Sequence, residues 1–153
     1  MRILILNGPN LNLLGTRQPE VYGTTTLSEI EDMCLAKAHD LNVSIEFRQS
    51  NHEGVLVDWI QAAKGKFDAI IINAAAYTHT SVAILDALLS VEIPCMELHL
   101  SDISQREDFR KVSYIDKASF AQVMGHGPAG YPMAIETAVE HLRSARSDVP
   151  SER

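Results

Sequence analysis

An arginine and a tyrosine lie close together in a long polar segment near the N-terminus. The segment, residues 7–23, follows a short apolar run and contains Arg17 and Tyr22. Tyrosine ordinarily titrates near pH 10, but a cation within about 4 to 6 Å favours its charged form. An arginine beside a tyrosine therefore indicates a phenolate that could act as a general base near neutral pH. Because strand-to-helix connections usually take about 2 to 6 residues, we expect this longer one to close over a site as a lid.

Further side chains that could transfer protons or bind a polar ligand follow the later apolar runs. Asn73 ends the run at residues 69–73, and His79 comes shortly after it. His99 and Ser101 lie at the end of the next apolar run. Histidine titrates near neutral pH and can serve as a general acid. A single histidine at a strand end more often makes a structural hydrogen bond, so the catalytic interpretation depends on these residues meeting in one place.

Apolar runs alternate with segments of helical periodicity along the whole chain. Short runs rich in β-branched residues predict strands that are buried on both faces. The predicted strands are residues 2–6, 43–48, 69–73, 95–100 and 120–124. Helices are predicted after the capping box of Thr26 and Glu29, over residues 55–63 and 82–89, after a second capping box at residues 104–107, and over residues 131–143. Residues 144–153 are expected to form a polar tail.

The alternation of strands and helices predicts the fold class and the place of the site. Five strands of this kind form a parallel sheet with helices on both faces, because parallel neighbours require crossover connections. We therefore expect one α/β domain over residues 1–143, a flavodoxin-like three-layer sandwich with strand order 2-1-3-4-5. Ligands of such sheets bind at the carboxyl ends of the strands, at the switch point between strands 1 and 3. The loops after strands 1, 3 and 4 would bring together Asn10, Arg17, Tyr22, Asn73, His79, His99 and Ser101.

Composition and charge exclude several other classes of protein. The chain has 20 acidic and 13 basic residues, a net charge of −7, which argues against a nucleic-acid-binding protein. No run approaches the roughly 20 apolar residues of a membrane span, and the first apolar run is too short for a signal peptide. Cys34 and Cys95 lie in apolar stretches without the spacing of a metal site. We expect a cytoplasmic protein without a bound metal.

A glycine-rich stretch at residues 125–130 has the spacing of a dinucleotide-binding fingerprint. That fingerprint also requires an acidic residue about 20 positions further on in a following strand, and here only one helix follows. A tight turn into the last helix explains the glycines better.

Six ordered motifs run through the chain in positions that include most of these residues. They are LILNGPNLNLLGTR at residues 4–17, PEVYG at 19–23, QSNHEG at 49–54, YTHTS at 77–81, ELHLS at 97–101 and REDFR at 106–110. This set closely resembles the type II 3-dehydroquinate dehydratases, and the resemblance extends from residue 2 to about residue 142. It implies a flavodoxin-like subunit in a dodecamer of trimers. It also implies a cofactor-free conversion of 3-dehydroquinate to 3-dehydroshikimate, in the shikimate pathway of aromatic amino acid biosynthesis or in quinate catabolism.

The resemblance also implies roles for individual residues. Tyr22 matches the base that removes a proton beside the ketone, Arg17 its activator and transition-state stabiliser, and His99 the general acid. An enolate oxygen needs fixed donors, and Asn10 is the candidate, directly or through an ordered water. The remaining matches are Asn73, His79 and Arg110 as contacts to substrate hydroxyls, Leu100 and Ser101 as the carboxylate site, and Asp86 as a residue that reaches a neighbouring subunit's site.

Two features of the motifs lead to further expectations. The family often has Asn-Pro-Gly-Ala where this chain has Asn73 followed by three alanines. If position 75 requires a glycine conformation, the loop that carries His79 should sit slightly differently. His52 and Glu53 match a family motif and are assigned only a supporting role in shaping the site.

Three alternatives would use the same kind of chain differently. A flavodoxin-like protein could bind flavin or phosphate in the crevice, but the loop after strand 1 lacks a cradle rich in serine and threonine. A receiver-type signalling domain would need clustered acids there, and residues 7–16 contain none. A Schiff-base dehydratase for the same substrate would require a (β/α)₈ barrel of typically 250 residues.

Overall fold

Five parallel strands form one sheet at the centre of the molecule. The computed structural model describes residues 1–16 and 18–148, with the backbone alone at residues 21 and 22. The strands are β1 (Arg2–Asn7), β2 (Ser44–Gln49), β3 (Ala69–Asn73), β4 (Cys95–Leu98) and β5 (Ser119–Val123). They follow the order β2-β1-β3-β4-β5, and all neighbours are parallel. This arrangement confirms the predicted α/β fold and strand order.

Helices cover both faces of the sheet. They are α1 (Pro19–Tyr22), α2 (Leu27–Asp40), α3 (Glu53–Ala62), α4 (Val82–Val91) and α5 (Gly130–Ser147). Helices α2 and α5 pack together on one face, and α3 and α4 pack together on the other. None of the helices within the described residues is long and apolar enough to cross a membrane.

The central strands are apolar along most of their length because each face of the sheet contributes to a core. Along β1, Ile3 and Ile5 point to the side of α2 and α5, whereas Leu4 and Leu6 point to the side of α3 and α4. All four side chains are essentially inaccessible to solvent. Burial of each such side chain contributes about 1.5 to 3 kcal/mol, so these two layers fix the sheet that carries the site.

The strand register places the starts of the loops that follow β1, β2 and β3 next to one another. Asn7, the last residue of β1, is paired with Asn73, the last residue of β3, and with Gln49, the last residue of β2. The three loops that follow therefore begin side by side at the switch point of the sheet.

The capping boxes had different outcomes. The side chain of Thr26 accepts a hydrogen bond from the backbone N–H of Glu29 at 3.2 Å and caps α2 as predicted. The charged helix predicted after residues 104–107 is wrong. Asp102 accepts the backbone N–H of Ser104 at 3.0 Å, and this local turn leads into a three-residue 3-10 helix instead of an α-helix.

Helix α5 extends further than the apolar pattern predicts. It ends at Ser147, whereas residues 144–153 were expected to form a polar tail. The Ser147 hydroxyl donates to the backbone oxygen of Arg143 at 3.0 Å, and Arg146 lies 3.8 Å from Asp68. Polar side chains on this last turn are compatible with a helix because no core packing is needed there. Residues 149–153 lie outside the described residues.

Candidate active site

A cavity opens at the carboxyl ends of β1, β3 and β4, on the edge of the sheet where the sequence predicted a crevice. It encloses about 240 Å³, close to the lower end of the range for small-ligand sites. Seven of the ten predicted site residues line it: Asn10, Asn73, His79, His99, Leu100, Ser101 and Arg110.

The other three predicted residues are not in the described lining. Arg17 lies outside the described residues, and only the backbone of Tyr22 is described, at the end of α1. Their positions relative to the cavity remain predictions. Asp86 is exposed on α4 and does not line this cavity.

A buried carboxylate supports His99. Glu97 is completely buried, and its Oε1 lies 2.5 Å from Nε2 of His99. The hydroxyl of Ser113 also donates to Oε1 at 2.5 Å, and Nε2 of Gln122 donates to Oε2 at 2.8 Å. Gln122 is the residue paired with Glu97 on the neighbouring strand. Both carboxylate oxygens of Glu97 are therefore hydrogen-bonded within the protein.

These hydrogen bonds keep Glu97 ionised despite its burial. Burial alone would raise the pKa of Glu97, but the hydrogen bonds from His99, Ser113 and Gln122, with the nearby charge of His99, hold that pKa below its ordinary value. Because the carboxylate accepts a hydrogen bond from Nε2, Nδ1 is the His99 nitrogen that remains available to exchange a proton with a ligand. The pair can stabilise an imidazolium that donates a proton into the cavity.

The fully charged side chains that line the cavity are arginines, although the protein is acidic. Arg106 and Arg110 both line it, and no aspartate or glutamate does among the described residues. Nε of Arg110 donates to Glu107 at 2.5 Å, which holds the guanidinium while its other N–H groups can still donate. Sequence reasoning did not single out Arg106, although it begins the motif that ends at Arg110. The two guanidiniums favour an anionic ligand such as a carboxylate.

His79 presents a defined hydrogen-bond acceptor. Its Nδ1 lies 2.7 Å from the backbone oxygen of Val112. A carbonyl oxygen only accepts, so Nδ1 carries the proton and Nε2 can accept a hydrogen bond from a hydroxyl. His79 is the last residue of a short 3-10 helix, Ala75–His79, which lies between β3 and α4.

The first residue of this helix has an unusual backbone conformation. Ala75 has a φ of 52°, in the left-handed region that favours glycine. Its N–H donates to Oδ1 of Asn73 at 3.2 Å. Position 75 therefore does require a glycine-like conformation, and here an alanine adopts it.

Asn10 is held by the loop that follows β2. Asn10 has a φ of 67°, which asparagine tolerates better than most residues, and its backbone N–H donates to Oδ1 of Asn51 at 3.0 Å. Nε2 of Gln49 donates to the same oxygen at 3.0 Å and to the backbone oxygen of Gly8 at 3.1 Å. The supporting residues in this motif are thus Gln49 and Asn51. His52 and Glu53 begin α3 and do not line the cavity.

The glycine-rich stretch forms the turn expected before the last helix. Gly125 and Gly127 have φ values of 82° and 57°. The N–H of Gly127 donates to the backbone oxygen of Leu100 at 2.9 Å, beside the cavity. The stretch therefore positions the end of β4.

Comparison with known proteins decides the family. The family model described as Dehydroquinase class II matches residues 1–139. The chain belongs to this family. It is 56% identical over 150 residues to a 3-dehydroquinate dehydratase of Dinoroseobacter shibae, covering 98% of this chain and 100% of the relative. It is 54% identical over 142 residues to a catabolic 3-dehydroquinase of Verticillium alfalfae, covering 93% and 95%.

A solved structure agrees in fold as well as sequence. The type II dehydroquinase of Butyrivibrio crossotus superposes with a TM-score of 0.88 at 42% identity, covering 91% of this chain and 97% of that one. Membership of the class II dehydroquinases confirms the predicted resemblance. It decides against the flavin-binding, receiver and Schiff-base alternatives.

Sequence reasoning missed the role of Glu97 in this family member. The signal was present, because Glu97 is the one charged residue within the predicted strand 95–100 and lies two residues before His99. Alternate residues of a strand share a face, so a carboxylate at that spacing is placed to contact the imidazole.

Proposed function

We propose that the cavity removes water from 3-dehydroquinate to form 3-dehydroshikimate, and that this hydro-lyase needs no cofactor. The observation that carries the proposal is His99, supported by the buried Glu97, in a cavity that is also lined by two arginines suited to a carboxylate substrate. Relatives that are named 3-dehydroquinate dehydratase and align over nearly the full chain support the same activity.

The reaction begins with loss of a proton beside the ketone. The Tyr22 phenolate, activated by Arg17, takes this proton, and the electron pair of the broken C–H bond moves onto the ketone oxygen. The resulting enolate needs a hydrogen-bond donor, which Asn10 supplies directly or through an ordered water. The fixed backbone of Asn10 suits this role because a preorganised donor needs no rearrangement as charge develops.

The second step is the departure of the hydroxyl group. The enolate electrons form the conjugated double bond as the C–O bond breaks, and the His99 imidazolium donates its Nδ1 proton to the leaving oxygen. Water is released, and Glu97 stabilises the imidazolium before this transfer. Return of the proton from Tyr22 through solvent to His99 restores both groups for the next turnover.

The other lining residues fit the binding of the substrate. Leu100 and Ser101 hold the carboxylate, with the guanidinium of Arg106 nearby. Asn73, His79 and Arg110 contact hydroxyl groups, and Nε2 of His79 accepts one of these bonds.

Assembly and location complete the proposal. Residues 1–143 form the catalytic domain, and subunits assemble as a dodecamer of trimers in which Asp86 reaches a neighbouring subunit's site. Exposure of Asp86 on α4 is compatible with such a contact. We place the enzyme in the cytoplasm. One relative is named 3-dehydroquinate dehydratase and another catabolic 3-dehydroquinase. These names are compatible with a role of this enzyme in either aromatic biosynthesis or quinate catabolism.

The activity is tested by adding 3-dehydroquinate to purified protein without any cofactor. We expect the ultraviolet absorbance of the conjugated enone product to rise. Treatment with borohydride in the presence of substrate should leave the activity intact, because no imine with a lysine forms. Absence of the absorbance change from folded protein, or inactivation by borohydride, would contradict the proposal.

A further inference from the structure

A buried tyrosine lies directly beneath the cavity. Tyr131, near the start of α5, is only 1% exposed, and its ring packs 6.1 Å from that of Phe47. Burial raises the pKa of its hydroxyl well above the ordinary value, so the phenol stays neutral. This hydroxyl can therefore act only as a hydrogen-bond donor and acceptor.

The hydroxyl joins the ends of β1 and β3. It donates to Oδ1 of Asn7 at 2.7 Å and accepts from Nδ2 of Asn73 at 3.1 Å. Asn7 is oriented in turn because its Nδ2 donates to the backbone oxygen of Arg48 at 3.0 Å. Since Nδ2 of Asn7 faces a carbonyl, its Oδ1 must face the tyrosine. The Tyr131 hydroxyl thus donates its only proton to Asn7. The lone pairs of the Tyr131 oxygen remain available to accept a hydrogen bond from Asn73.

This chain of bonds selects one orientation of the Asn73 amide. Nδ2 faces the tyrosine oxygen, and Oδ1 accepts the N–H of Ala75 at 3.2 Å. A rotation of the amide by 180° would set oxygen against the tyrosine lone pairs and the NH₂ group against the N–H of Ala75. Both contacts would be unfavourable.

The remaining hydrogen-bond capacity of Asn73 points to its use. An asparagine amide has two N–H donors and an oxygen with two lone pairs. The protein uses one donor and one lone pair, and Asn73 lines the cavity while only 3% exposed. One donor and one acceptor in fixed positions are left for the hydroxyl groups of a ligand.

We propose that Tyr131 is a positioning residue that fixes the Asn73 amide for substrate binding. This role of Tyr131 rests on the function proposed above and on the role of Asn73 in that function. Turnover by the unmodified enzyme and by Asn73→Ala is therefore measured in the same series of experiments. If Asn73 binds the ground state and the transition state equally, loss of its orientation raises KM and leaves kcat unchanged.

The test is a double-mutant cycle with Tyr131→Phe and Asn73→Ala. Tyr131→Phe removes one oxygen and keeps the ring, and we expect KM to rise about threefold to tenfold with kcat little changed. In the Asn73→Ala background the same change should alter KM less than about twofold, because the group through which Tyr131 acts is gone. Asn7→Leu releases the tyrosine proton and should raise KM as well, which gives a second test if Tyr131→Phe folds poorly.

A matched control separates positioning from stability. Ile135→Val shortens a fully buried side chain one turn further along α5 and should lower the thermal midpoint without changing KM. The proposal is overturned if Tyr131→Phe lowers only the thermal midpoint, or if its effect on KM is the same with and without Asn73. It also fails if Asn73→Ala leaves KM unchanged. A lack of turnover by the unmodified enzyme would instead overturn the proposed function, and with it this role.

Discussion

The Glu97 Oε1 lies 2.5 Å from Nε2 of His99, which directly follows the last residue of β4. The two side chains meet because the backbone continues past the end of β4, where the His99 N–H donates to the backbone oxygen of Val123, and alternate residues of such extended backbone point to the same side. Glu97 is buried behind the cavity, and His99 is part of its wall. The carboxylate orients the ring and is placed to act as the counter-ion of an imidazolium, so the proton donor is the pair and not the histidine alone.

Replacement of Glu97 by glutamine should weaken this proton donor without removing it. Glutamine has nearly the same size but no charge, so an imidazolium at His99 loses its counter-ion. We expect kcat to fall about 100-fold, within the usual range for general acid catalysis.

A matched control is Glu46→Gln, which removes a carboxylate paired with Arg2 and Arg48 at the protein surface. We expect this variant to keep the kcat of the unmodified enzyme. An unchanged kcat in Glu97→Gln would show that the carboxylate does not support the proton donor.

Tyr22→Phe should separate binding from chemistry at the first step. The substitution removes only the hydroxyl oxygen, so the carboxylate and hydroxyl contacts of the ligand are retained. We expect the dissociation constant from calorimetry to change little and kcat to fall more than about 100-fold, because the general base is lost. Tyr114→Phe, at a tyrosine outside the cavity lining, serves as the control and should keep full turnover. Substantial residual turnover in Tyr22→Phe would contradict the assignment of the base.

His99→Ala should stop the reaction after the first step. Tyr22 can still remove the proton beside the ketone, but no acid assists departure of the hydroxyl. We therefore expect substrate incubated with this variant in D₂O to take up deuterium at that carbon, as followed by proton NMR. Product should form at least about 100 times more slowly than with the unmodified enzyme. Tyr22→Phe should show neither exchange nor product. An unchanged rate of product formation in His99→Ala would assign the acid to another residue.

Much of the fold was predictable because its buried strands appear in the sequence as short apolar runs. The run at residues 69–73 is apolar except for its last residue, and β3 occupies the same five residues. The connection from β4 to β5 was not predictable in the same way. It consists of three short 3-10 helices, which have no apolar periodicity. They are stabilised by local turns such as that of Asp102 and by hydrogen bonds to residues distant in sequence.

The candidate site was predictable to the extent that topology alone defines it. Asn73 and His99 stand at the ends of neighbouring strands, and the strand order alone places both at one cavity. The ionised state of Glu97 depends on Ser113 and Gln122, which are 16 and 25 residues away in sequence. Only tertiary structure brings such partners together. The same holds for Tyr131, which is 124 residues from Asn7.

Ala75→Gly should stabilise the loop that carries His79. An alanine in the left-handed region costs about 1 to 2 kcal/mol, whereas glycine adds about 0.4 to 1 kcal/mol of conformational entropy to the unfolded chain. The net expectation is a gain of about 0.5 kcal/mol in the free energy of unfolding, measured by denaturant titration. Ala76→Gly is the matched control, because Ala76 is not among the residues with positive φ. That change should destabilise the protein, and equal effects of the two substitutions would contradict the strain at position 75.

Glu97 should also make the stability of the protein depend on pH. Burial opposes its charge, but the hydrogen bonds from His99, Ser113 and Gln122 hold its pKa below the ordinary value in the folded state. In the unfolded state the pKa returns to about 4.3, so the unfolded chain binds the proton more readily. The resulting stabilisation is complete above that pH and is lost as the pH falls through the lowered folded-state pKa.

The prediction is tested by denaturant unfolding of the unmodified protein and Glu97→Gln between pH 7 and pH 3. Glu97→Gln should be less stable at neutral pH, because a neutral amide cannot make the charge-assisted bonds that the carboxylate accepts. The difference in the free energy of unfolding should narrow as the pH falls, since the unmodified protein then loses the same charge. Glu46→Gln, at a partly exposed surface pair, should show only a small difference at every pH. If the difference in the free energy of unfolding between Glu97→Gln and the unmodified protein did not change with pH, the folded state would not lower the Glu97 pKa.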